Sequence, residues 1–197
     1  MNKGLIYVFT GDGKGKTSAA IGVGVRAALS GMKVAMVCWY KSPDWKVSEF
    51  TLPKQLKRFQ VFPMGVGFRI TNYESRITNK RGKDVKTASL TGGGRVVDTS
   101  SEDEHREAAR VALKKAKDLV GRVDVLILDE VNNAIKDRLI DLSDVVDLIT
   151  QRGKTHLVLT GMGAEIKIVS MADLVTEMRK VKHPFDLGKK AIRGLDY

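Results

Sequence analysis

Glycine, lysine and hydroxyl residues are concentrated in one short segment near the start of the chain, and together they could bind phosphate. The segment reads Thr10-Gly11-Asp12-Gly13-Lys14-Gly15-Lys16-Thr17. The flanking sequence predicts a strand before it and a helix after it. In that setting the backbone N–H groups of the turn point inward, and the positive end of the helix adds to them. Lys16 is placed to neutralise the terminal phosphates, and the Thr17 hydroxyl to hold Mg²⁺.

This segment departs at one position from the strict phosphate-loop (Walker A) pattern G-x-x-x-x-G-K-[ST]. The pattern requires glycine at position 10, where this chain has Thr10. Gly11, Gly13 and Gly15 still give the turn its backbone freedom, so nucleotide binding is favoured over a purely structural turn. A dinucleotide site is disfavoured, because the third glycine of G-x-G-x-x-G would fall at Lys16.

Two carboxylates, Asp129 and Glu130, end the most apolar run of the chain, residues 123–129. A continuous apolar run predicts a central strand that is covered on both faces. Ligands of parallel sheets collect at the carboxyl ends of the strands, so a carboxylate there would face the phosphates. It could order Mg²⁺ directly or through water. The alternative is that Asp129 merely ends a strand, but the phosphate loop upstream favours the metal role.

Other catalytic chemistries find little support in the sequence. A G-x-S-x-G elbow is absent, and His105, His156 and His183 are scattered, so neither nucleophilic hydrolysis nor a zinc site is indicated. Cys38 is the single cysteine and lies within a predicted strand. It is therefore expected to be a small buried side chain, and the absence of a disulfide indicates a reducing compartment.

Size and charge narrow the class of protein. The 197 residues, 43% of them hydrophobic, are enough for one compact domain or at most two small ones, and they exclude disorder as the main character. A net charge of +11 predicts a surface that attracts phosphates, carboxylates or nucleic acid. Aromatic residues make up only 6%, which weakens the case for a dedicated nucleic-acid module. No apolar stretch approaches the roughly 20 residues of a membrane span, and no signal peptide is indicated, so a cytoplasmic protein is expected.

The elements that must position these residues alternate between β-branched runs and helical patterns. This alternation is typical of an α/β fold with a parallel sheet and crossover helices. It predicts a single domain over residues 1–197 with five or six parallel strands. The predicted strands are 4–10, 33–39, 60–64, 123–129, 155–161 and 174–178, and the predicted helices are 16–30, 48–59 with an interruption at Pro53, 101–120, 141–149 and 164–170.

The segment 74–100 lacks this periodicity and is predicted to be a long loop or a mobile hairpin. Segments of this kind inside a compact domain are usually functional or disordered. A solvated surface is favoured for its positive charges, with a binding patch as the alternative. The charges are Arg76, Lys80, Arg81, Lys83 and Lys86, and a glycine triplet follows at 92–94.

Several motifs together resemble the ATP:corrinoid adenosyltransferases of the phosphate-loop type. The likeness follows the chain in order, apart from residues 74–100, and the V-K-H-x-F-D-x-G…G-x-D-Y ending is its specific part. The motifs are the phosphate loop with its continuation to residue 20 and the segments 64–68, 126–130, 159–163 and 181–197. The resemblance implies a RecA-like phosphate-loop fold, with a mostly parallel central sheet and helices on both faces.

The resemblance also implies a reaction. The 5′-deoxyadenosyl group of Mg²⁺-bound ATP would pass to cobalt(I) of a reduced corrinoid, either cobalamin or cobyrinic acid a,c-diamide, with triphosphate as the leaving group. The product belongs to adenosylcobalamin biosynthesis or salvage. Cobalt(I) is itself a strong nucleophile, so the protein need only align the ribose C5′, neutralise the triphosphate and exclude water and oxidants. A homodimer is expected, a flavoprotein reductase is a candidate partner, and neither nucleic acid nor a membrane is expected.

Carried over residue by residue, the resemblance assigns roles to the loop and to a few outlying positions. The γ-phosphate would take the deepest place in the loop. Lys16, Thr17 and Phe68 are the expected catalytic residues, and Thr17, Asp129 and Glu130 the expected Mg²⁺ residues. The expected nucleotide-binding residues are Gly11, Asp12, Gly13, Lys14, Gly15, Lys16, Thr17, Ser18, Lys41 and Glu130.

The residues expected on the corrinoid side of the site depart in part from the family pattern. Phe68 matches the first member of an aromatic pair that packs below the corrin and helps remove the lower axial ligand. Ile70 stands where a tryptophan is often found, so an apolar wedge of different shape is expected. Met162 replaces the arginine of a T-G-R-G turn, which removes one polar or phosphate contact. The segment 74–100, longer than the family leads us to expect, would be a lid, a reductase contact or an insertion without a catalytic role.

Two other functions stay open. The net positive charge and the basic run at 76–86 favour a RecA-like ATPase acting on nucleic acid, whose affinity would fall steeply with salt. Ile70 and Met162 favour a corrinoid carrier or regulator that has lost turnover and would bind both ligands without product.

Overall fold

The computed structural model describes residues 3–70, 75–78, 84–89, 95–189, 191–192 and 194–195. The strands are β1 (Ile6–Thr10), β2 (Val34–Cys38), β3 (Phe59–Pro63), β4 (Ser75–Thr78), β5 (Asp84–Ser89), β6 (Arg95–Asp98), β7 (Val125–Asp129), β8 (His156–Thr160) and β9 (Leu174–Glu177). The helices are α1 (Lys16–Leu29), α2 (Leu52–Gln55), α3 (Glu102–Leu119), α4 (Val131–Lys136), α5 (Leu142–Gln151) and α6 (Ile166–Met171), with 3-10 turns at Ser48–Thr51 and Pro184–Leu187.

In these ranges one sheet runs through the centre of the fold, in the order β3-β2-β7-β8-β1-β9. All of its neighbouring strands pair in parallel. The central strands β2 and β7 are buried along their whole length, as expected for strands covered on both faces. The predicted α/β fold with a parallel sheet is confirmed, and of the five or six strands expected the described sheet has six. Since parallel strands end at one edge of the sheet, the loops after β1, β2 and β7 converge there.

Helices cover both faces of this sheet because alternate residues of each strand point to opposite sides. Leu126 and Leu128 of β7 pack on one side with buried residues of α3 and α5. Ile127 packs on the other side with α1. Helix α1 approaches closely at Gly24, where an added Cβ would lie 2.6 Å from the Phe59 ring and 2.9 Å from Ile127. This contact fixes the height of α1, and therefore of its amino terminus, above the sheet.

The prediction of a long loop or hairpin at 74–100 needs correction. Within the segment, β4, β5 and β6 form a separate three-stranded antiparallel sheet. The strands are only four to six residues long, too short to reveal their alternation against a charged background. Lys80, Arg81, Lys83 and the glycine triplet lie outside the described residues. Whether the segment is a flexible insertion stays a prediction.

Other boundaries follow local chemistry. Helix α3 begins with the predicted capping box, in which Ser101 Oγ accepts from the Glu104 N–H at 3.1 Å and Glu104 Oε2 accepts from the Ser101 N–H at 2.7 Å. Pro53 lies in the first turn of α2, where its missing N–H costs nothing, so it does not interrupt a longer helix as predicted. Helix α4 was not predicted.

None of the helices in the described ranges combines the length and hydrophobicity required to cross a membrane.

Candidate functional site

The predicted phosphate loop connects β1 to the amino terminus of α1. Gly11 and Gly15 have φ of +98° and +111°, a region that favours glycine. The Lys16 ammonium lies across the loop and donates to the carbonyls of Gly11 at 2.9 Å and Gly13 at 2.6 Å. A positive charge is therefore fixed inside the turn, next to the helix N–H groups that attract anions.

The segment that follows β9 forms hydrogen bonds with the phosphate loop. The Gly13 N–H donates to the Met178 carbonyl at 2.7 Å, and the Met178 N–H donates to the Thr10 carbonyl at 2.8 Å. A Cβ on Gly11 would lie 2.3 Å from the Met178 oxygen, so only glycine fits there. Asp12 accepts from the Lys180 N–H at 3.1 Å. Asp12 thus anchors this supporting segment. The nucleotide contact predicted for Asp12 stays a prediction.

Thr10, which replaces the glycine of the strict pattern, has a structural partner. Its hydroxyl accepts from the Ala164 N–H at 3.2 Å, which ties the loop to the turn after β8. Threonine at this position therefore adds a side-chain contact that glycine could not make.

Asp129 is the centre of a buried polar network at the carboxyl ends of the strands. It is completely buried. Its Oδ1 accepts from Thr17 Oγ1 at 2.8 Å and from Thr160 Oγ1 at 2.9 Å. Its Oδ2 accepts from Lys41 Nζ at 2.9 Å, and Lys41 also donates to Glu49 Oε1 at 2.6 Å. One carboxylate thus joins the first helix to the loop after β2 and the end of β8.

The charges in this network hold each other in place. Burial on its own lowers the pKa of Lys41, but the negative charges of Asp129 and Glu49 outweigh it and hold that pKa above its ordinary value. The ammonium is therefore charged at any physiological pH. Because buried charges need partners, loss of either carboxylate would leave Lys41 poorly compensated.

Glu130 is the second carboxylate, and it lines the pocket. Its φ of +65° is uncommon for a residue other than glycine, and its N–H donates to Thr160 Oγ1 at 2.8 Å. Burial and the neighbouring charge of Asp129 raise its pKa to about 7, against the opposing effect of Lys16 and Lys41. Its charge therefore changes near neutral pH.

The raised pKa of Glu130 predicts a pH-dependent loss of stability in the ligand-free protein. The folded state binds this proton more tightly than the unfolded chain, so the contribution of Glu130 to the free energy of unfolding falls as pH rises from 4.5 to about 7. Urea denaturation of wild type and Glu130→Gln should give similar values at about pH 5 and favour the variant at about pH 8. A stability difference that does not change with pH would contradict this assignment.

A pocket of about 520 Å³ extends from the phosphate loop, a volume typical of small-molecule sites. Its lining is basic and polar at the phosphate loop. It is apolar at Trp45 and Phe68, whose ring centroids are 4.8 Å apart. The lining residues are Lys14, Gly15, Lys16, Thr17, Ser18, Ile21, Lys41, Trp45, Val47, Ser48, Glu49, Leu52, Phe68, Glu130, Gly194 and Leu195.

The structure brings most of the predicted site residues to this pocket. Lys14, Lys41, Glu130 and Phe68 meet in its wall although they are far apart in the sequence. Gly11, Asp12, Gly13 and Asp129 are not part of the lining, and they support it from behind. Sequence reasoning missed Thr160 and the lining residues Ile21, Trp45, Val47, Ser48, Glu49, Leu52, Gly194 and Leu195. Only the last two gave a signal, as part of the G-x-D-Y ending.

The two residues that differ from the family pattern, Ile70 and Met162, do not line the pocket. Ile70 is 8% exposed and its N–H donates to buried Asp98 at 3.1 Å. The expected wedge of Phe68 with Ile70 is therefore replaced by a contact between Phe68 and Trp45. Met162 is not part of the lining either, and its N–H donates to Asn133 Oδ1 at 2.6 Å.

Cys38 is fully buried, as predicted. Burial, with the nearby charge of Asp129, raises the pKa of its thiol well above the ordinary value, which disfavours the reactive thiolate. His105 is also buried and pairs with Asp98 at 3.0 Å, and His156 accepts from the Leu5 N–H at 3.0 Å. The described contacts of these residues are structural.

Comparison with known proteins agrees with this arrangement. The chain matches the family described as ATP:corrinoid adenosyltransferase BtuR/CobO/CobP over residues 2–197, a range that includes every pocket residue. It is 33% identical to a corrinoid adenosyltransferase of Sinorhizobium sp, over 99% of this chain and 81% of that protein. It is 32% identical to a corrinoid adenosyltransferase of Escherichia coli and 30% identical to corrinoid adenosyltransferase CobA of Salmonella typhimurium. Each of these two alignments covers 99% of this chain and 86% of the relative.

Proposed function

Because the chain belongs to the ATP:corrinoid adenosyltransferase family, we propose that it transfers the 5′-deoxyadenosyl group of ATP to cobalt(I) of a corrinoid and releases triphosphate. The cobalt(I) electron pair attacks the ribose C5′, the C5′–O bond breaks, and its electrons leave with the triphosphate as cobalt becomes formally cobalt(III). The observation that supports this best is the pocket, in which an anion-binding loop and an aromatic wall share one cavity.

The basic end of the pocket fits the triphosphate. Lys14, Lys16 and Lys41 line it together with the Thr17 and Ser18 hydroxyls. Positive charge and N–H donors held in advance stabilise the charge that develops on the leaving oxygen, without a reorganisation cost during the reaction. Lys16 is the central group, because its bonds to the loop carbonyls already hold its ammonium in the turn.

The residues around Thr17 fit Mg²⁺ bound with the nucleotide. Thr17 donates its proton to Asp129, so the hydroxyl oxygen keeps its lone pairs for a cation. Asp129 accepts three bonds and is buried, which suits a role behind Thr17, whereas Glu130 lies in the pocket wall. In the described part of the chain no group of three or more His, Cys, Asp and Glu could hold a metal unaided. Phosphate oxygens would complete the coordination, as is usual for Mg²⁺.

The aromatic end of the pocket fits the corrinoid. Phe68 is 53% exposed in the pocket wall, although large apolar side chains gain free energy from burial. A corrinoid packed there would bury it, exclude water from the cobalt and face the nucleotide across the cavity. The reaction needs no side chain as nucleophile, because the reduced cobalt is itself the nucleophile.

Product analysis tests the function. The protein is incubated with ATP, Mg²⁺ and chemically reduced cobalamin or cobyrinic acid a,c-diamide. We expect a light-sensitive adenosylated corrinoid and an equal amount of triphosphate. ADP and orthophosphate in place of these products would contradict the proposal, and stimulation of their release by DNA or RNA would favour the RecA-like ATPase. The family match does not favour that ATPase.

The homodimer, the flavoprotein reductase and the cytoplasmic location complete the proposal as predictions. Sedimentation of the purified protein tests the first. Transfer that starts from cobalt(II) and depends on an added reduced flavoprotein tests the second.

A further inference from the structure

Two aromatic residues from distant parts of the sequence meet in the pocket wall. Trp45 lies in the loop after β2, and Phe68 lies in the turn after β3. Their ring centroids are 4.8 Å apart and their planes are tilted by 45°, within the range of favourable aromatic contacts. Both rings line the cavity. Together they form one aromatic cluster in the wall, which is called the aromatic surface below.

Other apolar side chains line the same cavity as this pair. They are Ile21, Val47 and Leu52, and the lysines and hydroxyls of the phosphate loop complete the lining. Exposed apolar surface inside a pocket that also holds a few convergent polar groups is typical of a ligand site. The chemistry of this end fits a large ring system with apolar faces.

Trp45 is held in a fixed position relative to the phosphate end. Lys41, four residues before it, binds the buried Asp129 and also Glu49, four residues after it. The backbone N–H of Trp45 also donates to the Ser42 carbonyl at 3.0 Å. The Lys41 ammonium thus links the two flanks of the loop that carries the indole, and it ties this loop to the carboxylate that binds Thr17. These bonds limit how far the Trp45 ring can move relative to the phosphate loop.

Phe68 is fixed by the residues that follow it. Arg69 donates two bonds to Glu102, both at 2.9 Å, and the Ile70 N–H donates to Asp98. Arg69 and Ile70 are therefore tied to the start of α3 and the end of β6, while Phe68 faces the cavity. This arrangement leaves Trp45 as the residue that completes the aromatic surface.

We propose that Trp45 is a corrinoid-contacting residue, which forms with Phe68 the surface on which the ring of the corrinoid substrate packs. Ile70, which the sequence placed in this role, takes no part in the surface. The inference rests on the proposed function, because that function makes a corrinoid the second occupant of the pocket.

Two measurements on Trp45→Ala, Trp45→Phe and Phe68→Ala test it. The first is equilibrium dialysis of cob(II)alamin in the presence of Mg-ATP, and the second is calorimetric binding of Mg-ATP alone. Trp45→Ala should weaken cobalamin binding by about tenfold and leave Mg-ATP binding within about twofold of wild type. Trp45→Phe should recover most of the loss, since it keeps a ring. Val111→Ala, at an exposed position on α3, is the matched control for a lost apolar side chain.

A double variant tests whether the two rings act together. Trp45→Ala combined with Phe68→Ala should weaken cobalamin binding less than the product of the two single effects, because residues in contact are not independent. Unchanged cobalamin binding in Trp45→Ala would overturn the inference. So would weaker Mg-ATP binding with unchanged cobalamin binding, because Trp45 would then contact the adenine.

Failure of the proposed function would look different. If the wild type binds cobalamin and Mg-ATP but forms no adenosylated product, the transferase proposal fails. The dialysis comparison of Trp45 variants still decides the inference about the aromatic surface.

Discussion

Replacing Lys16 with alanine is expected to lower kcat/KM for adenosyl transfer by at least about 100-fold. Its ammonium is the charge that the loop holds in place, through bonds to the Gly11 and Gly13 carbonyls. Without it, only Lys14 and Lys41 remain in the pocket wall to compensate the negative charge of the leaving triphosphate. Triphosphate release from ATP and chemically reduced cob(I)alamin measures the effect.

A second variant separates the charge of Lys16 from its support of the loop. Lys16→Gln keeps an N–H donor for the loop carbonyls but is neutral, so it should be nearly as inactive as Lys16→Ala. Lys167→Ala removes an exposed lysine on α6 and should retain wild-type rates. Wild-type turnover by Lys16→Gln would show that charge on this residue does not contribute to catalysis.

Replacing Asp129 with asparagine is expected to lower both stability and Mg-ATP affinity. The change leaves Lys41 with Glu49 as its carboxylate partner and turns an amide donor toward one of the groups that now donate to Asp129. Breaking a buried charge pair costs about 3–5 kcal/mol. Urea denaturation measures the loss of stability, and calorimetry of Mg-ATP measures the loss of binding.

Glu49→Gln is the matched control for that experiment. It removes the other carboxylate of Lys41 but leaves the bond between Asp129 and Thr17 intact. We expect a smaller loss of stability and Mg-ATP binding that is largely retained. Equal loss of Mg-ATP binding in the two variants would contradict the role assigned to Asp129 in orienting Thr17.

The parts of the site that local sequence encodes were predictable. Residues 10–17 lead from a strand through a turn into a helix, and the glycines and the helix start that encode this turn occur within eight positions. Asp129 was predictable because an apolar run identifies a central strand, and its carboxyl end faces the loop. The same reasoning predicted five or six parallel strands, since short apolar runs and helical patterns are both local signals.

The contacts across the pocket were not predictable, because they join segments that only the fold brings together. Trp45 and Phe68 are 23 positions apart and lie after different strands, and no spacing rule links them. Thr160 reaches Asp129 because β8 lies beside β7, which follows from sheet order. The support of Gly13 by Met178 depends in the same way on β9 pairing with β1.

Ile70 shows how a pattern can mislead about direction. A motif places residue 70 two positions after Phe68, where an extended chain would point both side chains to one face. In this chain the bonds of Arg69 to Glu102 and of Ile70 to Asp98 bury Ile70 instead. Asp98 is the last residue of β6 in the three-stranded sheet, and Glu102 is the first residue of α3, which follows that sheet. The aromatic surface therefore depends on a neighbour whose structure was not evident from sequence.

A crystal structure of the protein with Mg-ATP and a corrinoid would show how the two substrates lie in the pocket. We predict that the triphosphate lies in the loop at Lys16 and that the ribose C5′ points toward the wall formed by Trp45 and Phe68, with the corrin ring against that wall. A ribose directed away from the aromatic end, with no space beside C5′ for a tetrapyrrole ring, would contradict it.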